Sequence, residues 1–131
     1  MKTNTVTSKL ARLAVMLVAL TLTALAREAS AHSFPQDQYP SAGQMLAAPP
    51  TEIRIKFDAP IEKLFAKLQV LDSEGKDHAI GAPEVSSDGV LMTAKVEALK
   101  PGEYTVKWAV LGVDTHHTEG SYSFTIGGGG T

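Results

Sequence analysis

The 131-residue chain contains no cysteine, and this absence removes several kinds of chemistry at once. Without a thiolate there can be no cysteine nucleophile, no thiolate zinc site and no iron–sulfur cluster. A metal ion would have to be held by His, Asp, Glu, Met or backbone groups. No serine stands in a recognisable nucleophile motif, so hydrolysis by a Ser-His-Asp triad has no support either.

The chain also lacks an apolar run long enough for an ordinary transmembrane helix, which needs about 20 residues. Residues 13–26 form an apolar run of 14 residues, with basic residues before it and the small-x-small triplet 29–31 after it. This pattern is typical of a cleaved secretory signal. We therefore predict a signal peptide over residues 1–31, cut after Ala31. An uncleaved anchor helix and a cut after Ala26 are the alternatives.

Excess positive charge is also missing once the leader is set aside. The leader holds four of the twelve basic residues and one of the fourteen acidic residues, so residues 32–131 carry 8 basic and 13 acidic residues, formally −5. Nucleic acids and anionic lipids are bound through basic patches. We therefore expect no nucleic-acid partner and no stable membrane insertion after cleavage. Without disulfides, the core of these 100 residues must hold alone.

Apolar residues in the remaining chain alternate with polar ones, which is typical of half-buried strands. The pattern predicts strands within 51–58, 65–72 and 89–96 and a final hairpin of 104–110 with 121–126. Leu64, Leu68 and Val70 are the expected inward set of the second of these strands. Three irregular segments are also expected: an extended, turn-rich stretch over 32–50, a loop or single turn within 59–68, and a turn at Gly75. Short strands at this spacing predict an all-β sandwich or barrel.

Four histidines follow the predicted cleavage site: His32, His78, His116 and His117. The last two lie in the polar segment 111–120, which we expect to be a long connector at one end of the sandwich, where functional groups collect. On an extended segment, residues i and i+2 face the same side. Asp114 and His116 would then face together, and an imidazole beside a carboxylate is a usual pair of metal ligands. The alternative is a solvated or hydrogen-bonded loop.

His32 strengthens the metal hypothesis because cleavage would make it the first residue. It would then offer its terminal amine and its ring Nδ1, which close a six-membered chelate ring on a metal. A ring nitrogen of His116 would complete a T-shaped set of three nitrogens, with an oxygen of Asp114 added. Nitrogen-dominated tetragonal sites favour Cu(II). Before cleavage the same backbone nitrogen is an amide and cannot serve as a neutral amine ligand.

These motifs together resemble the CopC-type periplasmic copper-resistance proteins. The matching features are the histidine directly after the signal, "YPSAG" with Pro40 and Gly43, "APPTEIRIKFDAPI", "PGEYTVKWAV" and "DTHHTEGSYSFTI". The resemblance covers nearly all of residues 32–126. It implies an immunoglobulin-like or cupredoxin-like Greek-key β-sandwich over 32–126, which is followed by a flexible Gly-rich tail over 127–131.

The resemblance also implies a function. It implies one Cu(II) per mature chain, held by His32, Asp114 and His116, in a periplasmic copper chaperone or buffer that serves copper resistance or homeostasis. It further implies a CopD-type inner-membrane transporter as a partner. We expect no enzymatic activity. Two alternatives stay open: a metal-free immunoglobulin-like structural or adhesion module, and a copper-dependent oxidative enzyme, which the 6% aromatic content disfavours.

The sequence departs from this family at several positions. A Met-rich Cu(I) loop is missing, and the two methionines after the leader, Met45 and Met92, are expected to pack in the core or a loop. His117 stands where many members have proline, and by alternation it should point away from the site in a solvated or supporting role. The alternative is a fourth or transient metal ligand. His78 is expected in a surface loop. The remaining expectations concern core packing by Tyr104 and Trp108, and hydrogen bonds to an imidazole from Asp37 and Glu119.

Overall fold

The structure of this chain is a computed structural model that describes residues 4–25 and 32–128. The chain divides into two units, residues 1–31 and 32–131. In the first unit, helix α1 spans Asn4–Leu25. No helix among the described residues is both long enough and apolar enough to span a membrane. The predicted cleavage triplet 29–31 and the last three residues of the predicted tail lie outside the described residues, so both remain predictions.

The second unit is a β-sandwich of two four-stranded sheets, as predicted. The first sheet has the order β1-β3-β6-β5 and the second the order β2-β8-β7-β4. All pairings between strands are antiparallel except the short parallel pair β2–β8. The bounds are β1 Pro35–Tyr39, β2 Met45–Leu46, β3 Glu52–Phe57, β4 Lys67–Leu71, β5 Ala79–Val85, β6 Leu91–Val96, β7 Gly102–Leu111 and β8 His117–Ile126.

The alternating residues of the predicted strands form the core between the sheets. In β3 every second side chain, from Ile53 to Phe57, is buried. Phe57 of the first sheet meets Trp108 of the second edge-on, with ring centroids 5.4 Å apart. Tyr104 stacks against Phe124 in the same core. Met92 is fully buried, as expected for a packing residue, whereas Met45 is exposed on β2.

Leu64 does not face inward, and this part of the strand prediction is wrong. Its side chain is 91% exposed in a single 3₁₀ turn, Lys63–Phe65. The turn interrupts an antiparallel ladder. Ile61 pairs with Gly112, and the next pair is Lys67 with Ala109. Five residues therefore stand opposite two, and the excess residues protrude. The single turn itself was expected.

Three strands were not predicted from the sequence. The segments of β1, "PQDQY", and of β2, with two residues, show no apolar alternation. The third, β5, contains Gly81 and Pro83, which weaken a strand signal. Its pairing with β6 shifts between Ile80 and Glu84, where these residues lie. Such an irregularity hides the period that the sequence would otherwise show.

His78 lies outside the strands, just before β5, as expected for a loop residue, but its side chain is mostly buried and not at the surface. Its Nε2 lies 2.8 Å from Asp72 Oδ2 and its Nδ1 lies 3.2 Å from Glu97 Oε2. The ring meets Tyr104 edge-on, and only 14% of the side chain is exposed. Its backbone N–H donates to the carbonyl of Val70, which holds the residue against β4. The imidazole therefore links two carboxylates at the end of the sandwich remote from His116.

Asp72 gives the domain a pH-dependent contribution to stability. The His78 side chain, and then the backbone N–H groups of Lys76 and Glu74, lower the pKa of Asp72 below its ordinary value of 3.8. A lowered carboxyl pKa stabilises the folded state above that value, and the stabilisation disappears as pH falls through the folded pKa. The same turn contains Gly75 at φ +80°, as predicted.

We therefore expect Asp72→Asn to lower the urea midpoint of unfolding at pH 7 and to have little effect near pH 2. Urea unfolding followed by Trp108 fluorescence at both pH values would measure this. The exposed change Glu103→Gln removes the same charge and is the control. A deficit of equal size at both pH values would contradict the assignment.

Candidate metal centre

The loop between β7 and β8 is much shorter than the predicted connector 111–120. The two strands pair without a break from Gly102 with Ile126 to Leu111 with His117, which leaves only residues 112–116 between them. The loop is a tight turn and not an extended segment. The N–H of Gly112 donates to the His116 carbonyl, and the N–H of Thr115 donates to the Gly112 carbonyl, both at 2.9 Å.

Asp114 and His116 face each other because of this turn. The backbone N–H of His116 donates to Asp114 Oδ1 at 3.1 Å, and His116 Nδ1 lies 3.1 Å from Asp114 Oδ2. Thr115, between them, has φ +72°, which reverses the chain. The expected pairing is therefore present, but the extended alternation offered for it was wrong. His117 is the exposed first residue of β8 and lies outside this pair.

His32, at the start of the domain in sequence, lies beside this pair in space. Its Nδ1 lies 3.8 Å from Asp114 Oδ2, and its ring centroid lies 4.4 Å from that of His116, with the ring planes at 68°. Each of the three residues offers one potential ligand atom, and these atoms all lie within 4.8 Å of one another. The structure thus brings together the three residues that the sequence analysis named.

The residues after His32 fasten it at this place. Ser33 is only 1% exposed; its Oγ donates to the Pro60 carbonyl at 3.2 Å, and its own carbonyl accepts a hydrogen bond from Thr118 Oγ1 at 2.8 Å. Phe34 and Asp58 then exchange two hydrogen bonds, at 2.7 and 2.9 Å. Sequence analysis named none of these supporting residues. Nothing in the order "HSF" indicates which distant carbonyl or hydroxyl will meet Ser33.

The electrostatics of the cluster keep its carboxylate charged. The pKa of Asp114 lies below its ordinary value, mainly because the His116 backbone N–H donates to it, and the two imidazoles add to the effect. The side chains of His32 and His116 are 47% and 57% exposed, so an ion can reach their nitrogens from solvent. Two imidazoles and a carboxylate suit Cu(II), Zn(II) and similar ions, and further nitrogen ligands shift the preference toward Cu(II).

Two other carboxylates that were considered do not join the cluster. Asp37 Oδ1 accepts a hydrogen bond from the N–H of Gln38. Glu119 pairs with Ala109 along the hairpin, three residues past His116. Among residues 32–128, neither carboxylate forms a hydrogen bond or an ion pair with a histidine. Contacts from Ser33 and Thr118 take the supporting role instead.

Ser33→Ala should weaken metal binding although it removes no potential ligand. The change removes the hydrogen bond to Pro60 and frees His32 to move away from Asp114. Loss of groups that support ligands costs roughly 10- to 100-fold in metal affinity. We expect a Cu(II) affinity about tenfold lower, measured by chelator competition. Thr118→Val should act in the same direction, and Thr105→Val, which removes a partly buried hydroxyl contact to Ser123, should not. Equal affinities in all four proteins would contradict the fastening role.

Gly112→Ala should displace Asp114 directly. A Cβ at this position would lie 2.5 Å from Asp114 Oδ1 and 3.0 Å from Ser33 Oγ, closer than such atoms pack. Both groups belong to the site, so we expect Cu(II) affinity to fall by roughly 10- to 100-fold. Gly127→Ala is the control, because its Cβ meets only the Leu46 carbonyl at 3.5 Å. Unchanged affinity in Gly112→Ala would show that Asp114 need not stay where it lies.

Comparison with known proteins matches this chain to a protein family and to several relatives. Residues 36–127 match the family model of the CopC domain. The chain is 30% identical over 112 residues to protein YobA of Escherichia coli K12, covering 84% of this chain and 90% of YobA. It is 26% identical over 114 residues to the copper transport protein CutJ of Bacillus subtilis, covering 86% of this chain but only 21% of CutJ.

Two solved structures share the fold. The crystal structure of CopC from Methylosinus trichosporium OB3b matches with a TM-score of 0.72 and 32% identity, over 76% of this chain and 98% of that one. PcoC, a methionine-rich copper resistance protein from Escherichia coli, matches with a TM-score of 0.64 and 25% identity, over 73% of this chain and 99% of PcoC. Both matches span nearly the whole of the solved chains.

Proposed function

The chain belongs to the CopC family, and from this premise we propose that it binds one Cu(II) through His32, Asp114 and His116. The observation that carries the proposal is the convergence of these three side chains, whose potential ligand atoms lie within 4.8 Å of one another. The names of similar proteins, copper transport protein CutJ and copper resistance protein PcoC, support copper as the ion.

Cleavage after Ala31 is part of this proposal. It turns the backbone nitrogen of His32 into an amine, which closes a chelate ring with the imidazole of the same residue. Ser33 is already fastened beside the cluster by two hydrogen bonds, so the amine would be formed close to Asp114 and His116. The complete site would thus need both the folded domain and the cleavage before His32. This links copper binding to the exported, periplasmic form of the chain.

We propose the role of a copper carrier or buffer and not that of an enzyme. The two imidazoles are half exposed, which suits an ion that must enter and leave. An Asp114 carboxylate bound to the copper would take up a coordination position, whereas catalytic metal sites keep one open for substrate. A CopD-type inner-membrane transporter is the proposed destination of the copper. A metal-free adhesion module would give no reason for three ligating groups to converge.

Calorimetric titration of the purified, exported chain with Cu(II) tests the proposal. We expect saturation at one copper per chain and release of protons on binding, because the ligand nitrogens must be unprotonated. Weak binding without a fixed stoichiometry would favour the metal-free module. Copper-dependent oxidation of an added polysaccharide in the presence of ascorbate would favour the oxidative enzyme.

A further inference from the structure

Large apolar side chains are exposed unevenly over the β-sandwich. Residues 32–128 expose seven of them, and four lie at the end that carries the metal cluster, with exposed fractions between 53% and 91%. We call these four the apolar rim: Phe34, Leu64, Phe65 and Val113. The other three lie toward the opposite end: Tyr39, Met45 and Ile80.

Two members of the rim adjoin the potential ligands directly. The ring of Phe34 meets the ring of His32 edge-on, with centroids 6.1 Å apart. Val113 precedes Asp114 in the loop, and its N–H donates to the Pro60 carbonyl at 3.2 Å. Both backbones are held by tertiary hydrogen bonds, so the two apolar side chains are displayed in fixed places beside the site.

The other two members protrude from the neighbouring ladder. Leu64 and Phe65 lie in the 3₁₀ turn between the pairs Ile61–Gly112 and Lys67–Ala109, at the level of the last residues of β7. The turn is fixed at its start, where the Glu62 N–H donates to the Leu111 carbonyl at 2.7 Å. Exposed apolar area costs about 25 cal/mol per Å² relative to burial. The exposure of these apolar side chains does not stabilise the isolated domain, and it points to a partner that covers them.

We infer that the apolar rim is the docking surface for a protein that accepts copper from this site. The inference rests on the proposed function. An acceptor must bring its own ligand atom to an ion held by His32, Asp114 and His116, and its surface must then cover side chains that adjoin them. The apolar rim is therefore continuous with the site from which the copper ion would be transferred.

Area and charge describe the acceptor. With about 150 to 200 Å² for each aromatic side chain and less for Leu64 and Val113, the exposed fractions give the rim about a few hundred Å². A stable interface buries about 800 Å² per partner, so the rim suits a transient contact and not a permanent dimer of this chain. The segments 58–66 and 111–117 carry Asp58, Glu62 and Asp114 against Lys63, and the charge of a bound Cu(II) would offset this negative excess. The acceptor should therefore present a mainly apolar patch around its own copper ligand.

Site-specific photo-crosslinking tests where the acceptor docks. Benzoylphenylalanine is placed at Leu64 in the full chain, in cells that export it, and at Ile80 as a matched exposed control. We expect the Leu64 position alone to crosslink to a protein that binds copper once purified. Crosslinks only to lipid, only to a second copy of this chain, equally from both positions, or from neither would overturn the inference.

Transfer kinetics then separate docking from copper binding. The double variant Leu64→Lys/Phe65→Lys should bind Cu(II) as tightly as the parent chain and release it to EDTA at the same rate. Transfer to the purified crosslinked protein should be about tenfold slower or more, as expected when two apolar anchors are lost. Ile80→Lys should transfer normally. Equal transfer rates in all three proteins would overturn the docking surface, whereas a parent chain that binds no Cu(II) would overturn the proposed function.

Discussion

A chain with one extra glycine before His32 should bind Cu(II) at least about 100-fold more weakly than the chain that begins at His32. The added residue turns the terminal amine into an amide and so removes one nitrogen of the chelate ring. Loss of groups that only support ligands already costs roughly 10- to 100-fold, and loss of a ligand should reach the upper end of that range or exceed it. Competition with a chelator of known affinity would measure the difference.

The glycine variant keeps every side chain, so the loss could not be ascribed to the fold. The hydrogen bonds of Ser33 to Pro60 and Thr118 do not involve the added residue. A chain with one extra glycine after Thr131 is the control and should bind as tightly as the parent. Equal affinity of all three proteins, with the same electron paramagnetic resonance spectrum of bound Cu(II), would show that the amine is not a ligand.

His116→Ala should lower Cu(II) affinity by about 100-fold or more, whereas His117→Ala should change it little. His116 Nδ1 lies 3.1 Å from Asp114 Oδ2 and faces His32, while His117 is the exposed first residue of β8 outside the cluster. His116→Ala also removes one of the contacts that lower the pKa of Asp114. Chelator competition and the electron paramagnetic resonance spectrum of bound Cu(II) would report both variants.

The comparison of the two histidines is a matched one, because they are neighbours in the sequence and both are exposed. Similar losses in His116→Ala and His117→Ala would contradict the cluster as drawn. His78→Ala is a second control. Its imidazole is engaged by Asp72 and Glu97, so the change should lower stability while leaving copper affinity intact.

Much of the sandwich could be predicted from local pattern, because apolar and polar residues alternate along a strand that has one buried face. Residues 52–57 and 91–96 show this period and form central strands of the first sheet. The alternation gave a wrong prediction where the backbone departs from regular strand pairing. Leu64 fits the inward set by count, but the 3₁₀ turn adds residues that no alternation reveals.

The three residues named from the sequence lie together in the structure, but the reason offered for their proximity was incomplete. His32 stands out because of the cleavage pattern before it, and Asp114 and His116 because of their chemistry and spacing. The turn that brings Asp114 to His116 depends on Thr115 at φ +72° and on a Gly112 without a Cβ. Ser33 and Thr118 are 85 residues apart and meet only after the sheets have packed. Such contacts belong to the tertiary fold and leave no local signal.

A crystal structure of the exported, copper-loaded chain would test the central claim most directly. The account predicts a chain that begins at His32, with one copper ion bonded to the amine and an imidazole nitrogen of His32, an oxygen of Asp114 and an imidazole nitrogen of His116. A chain that still carries Ala31, or copper bound at any other group of residues, would contradict it.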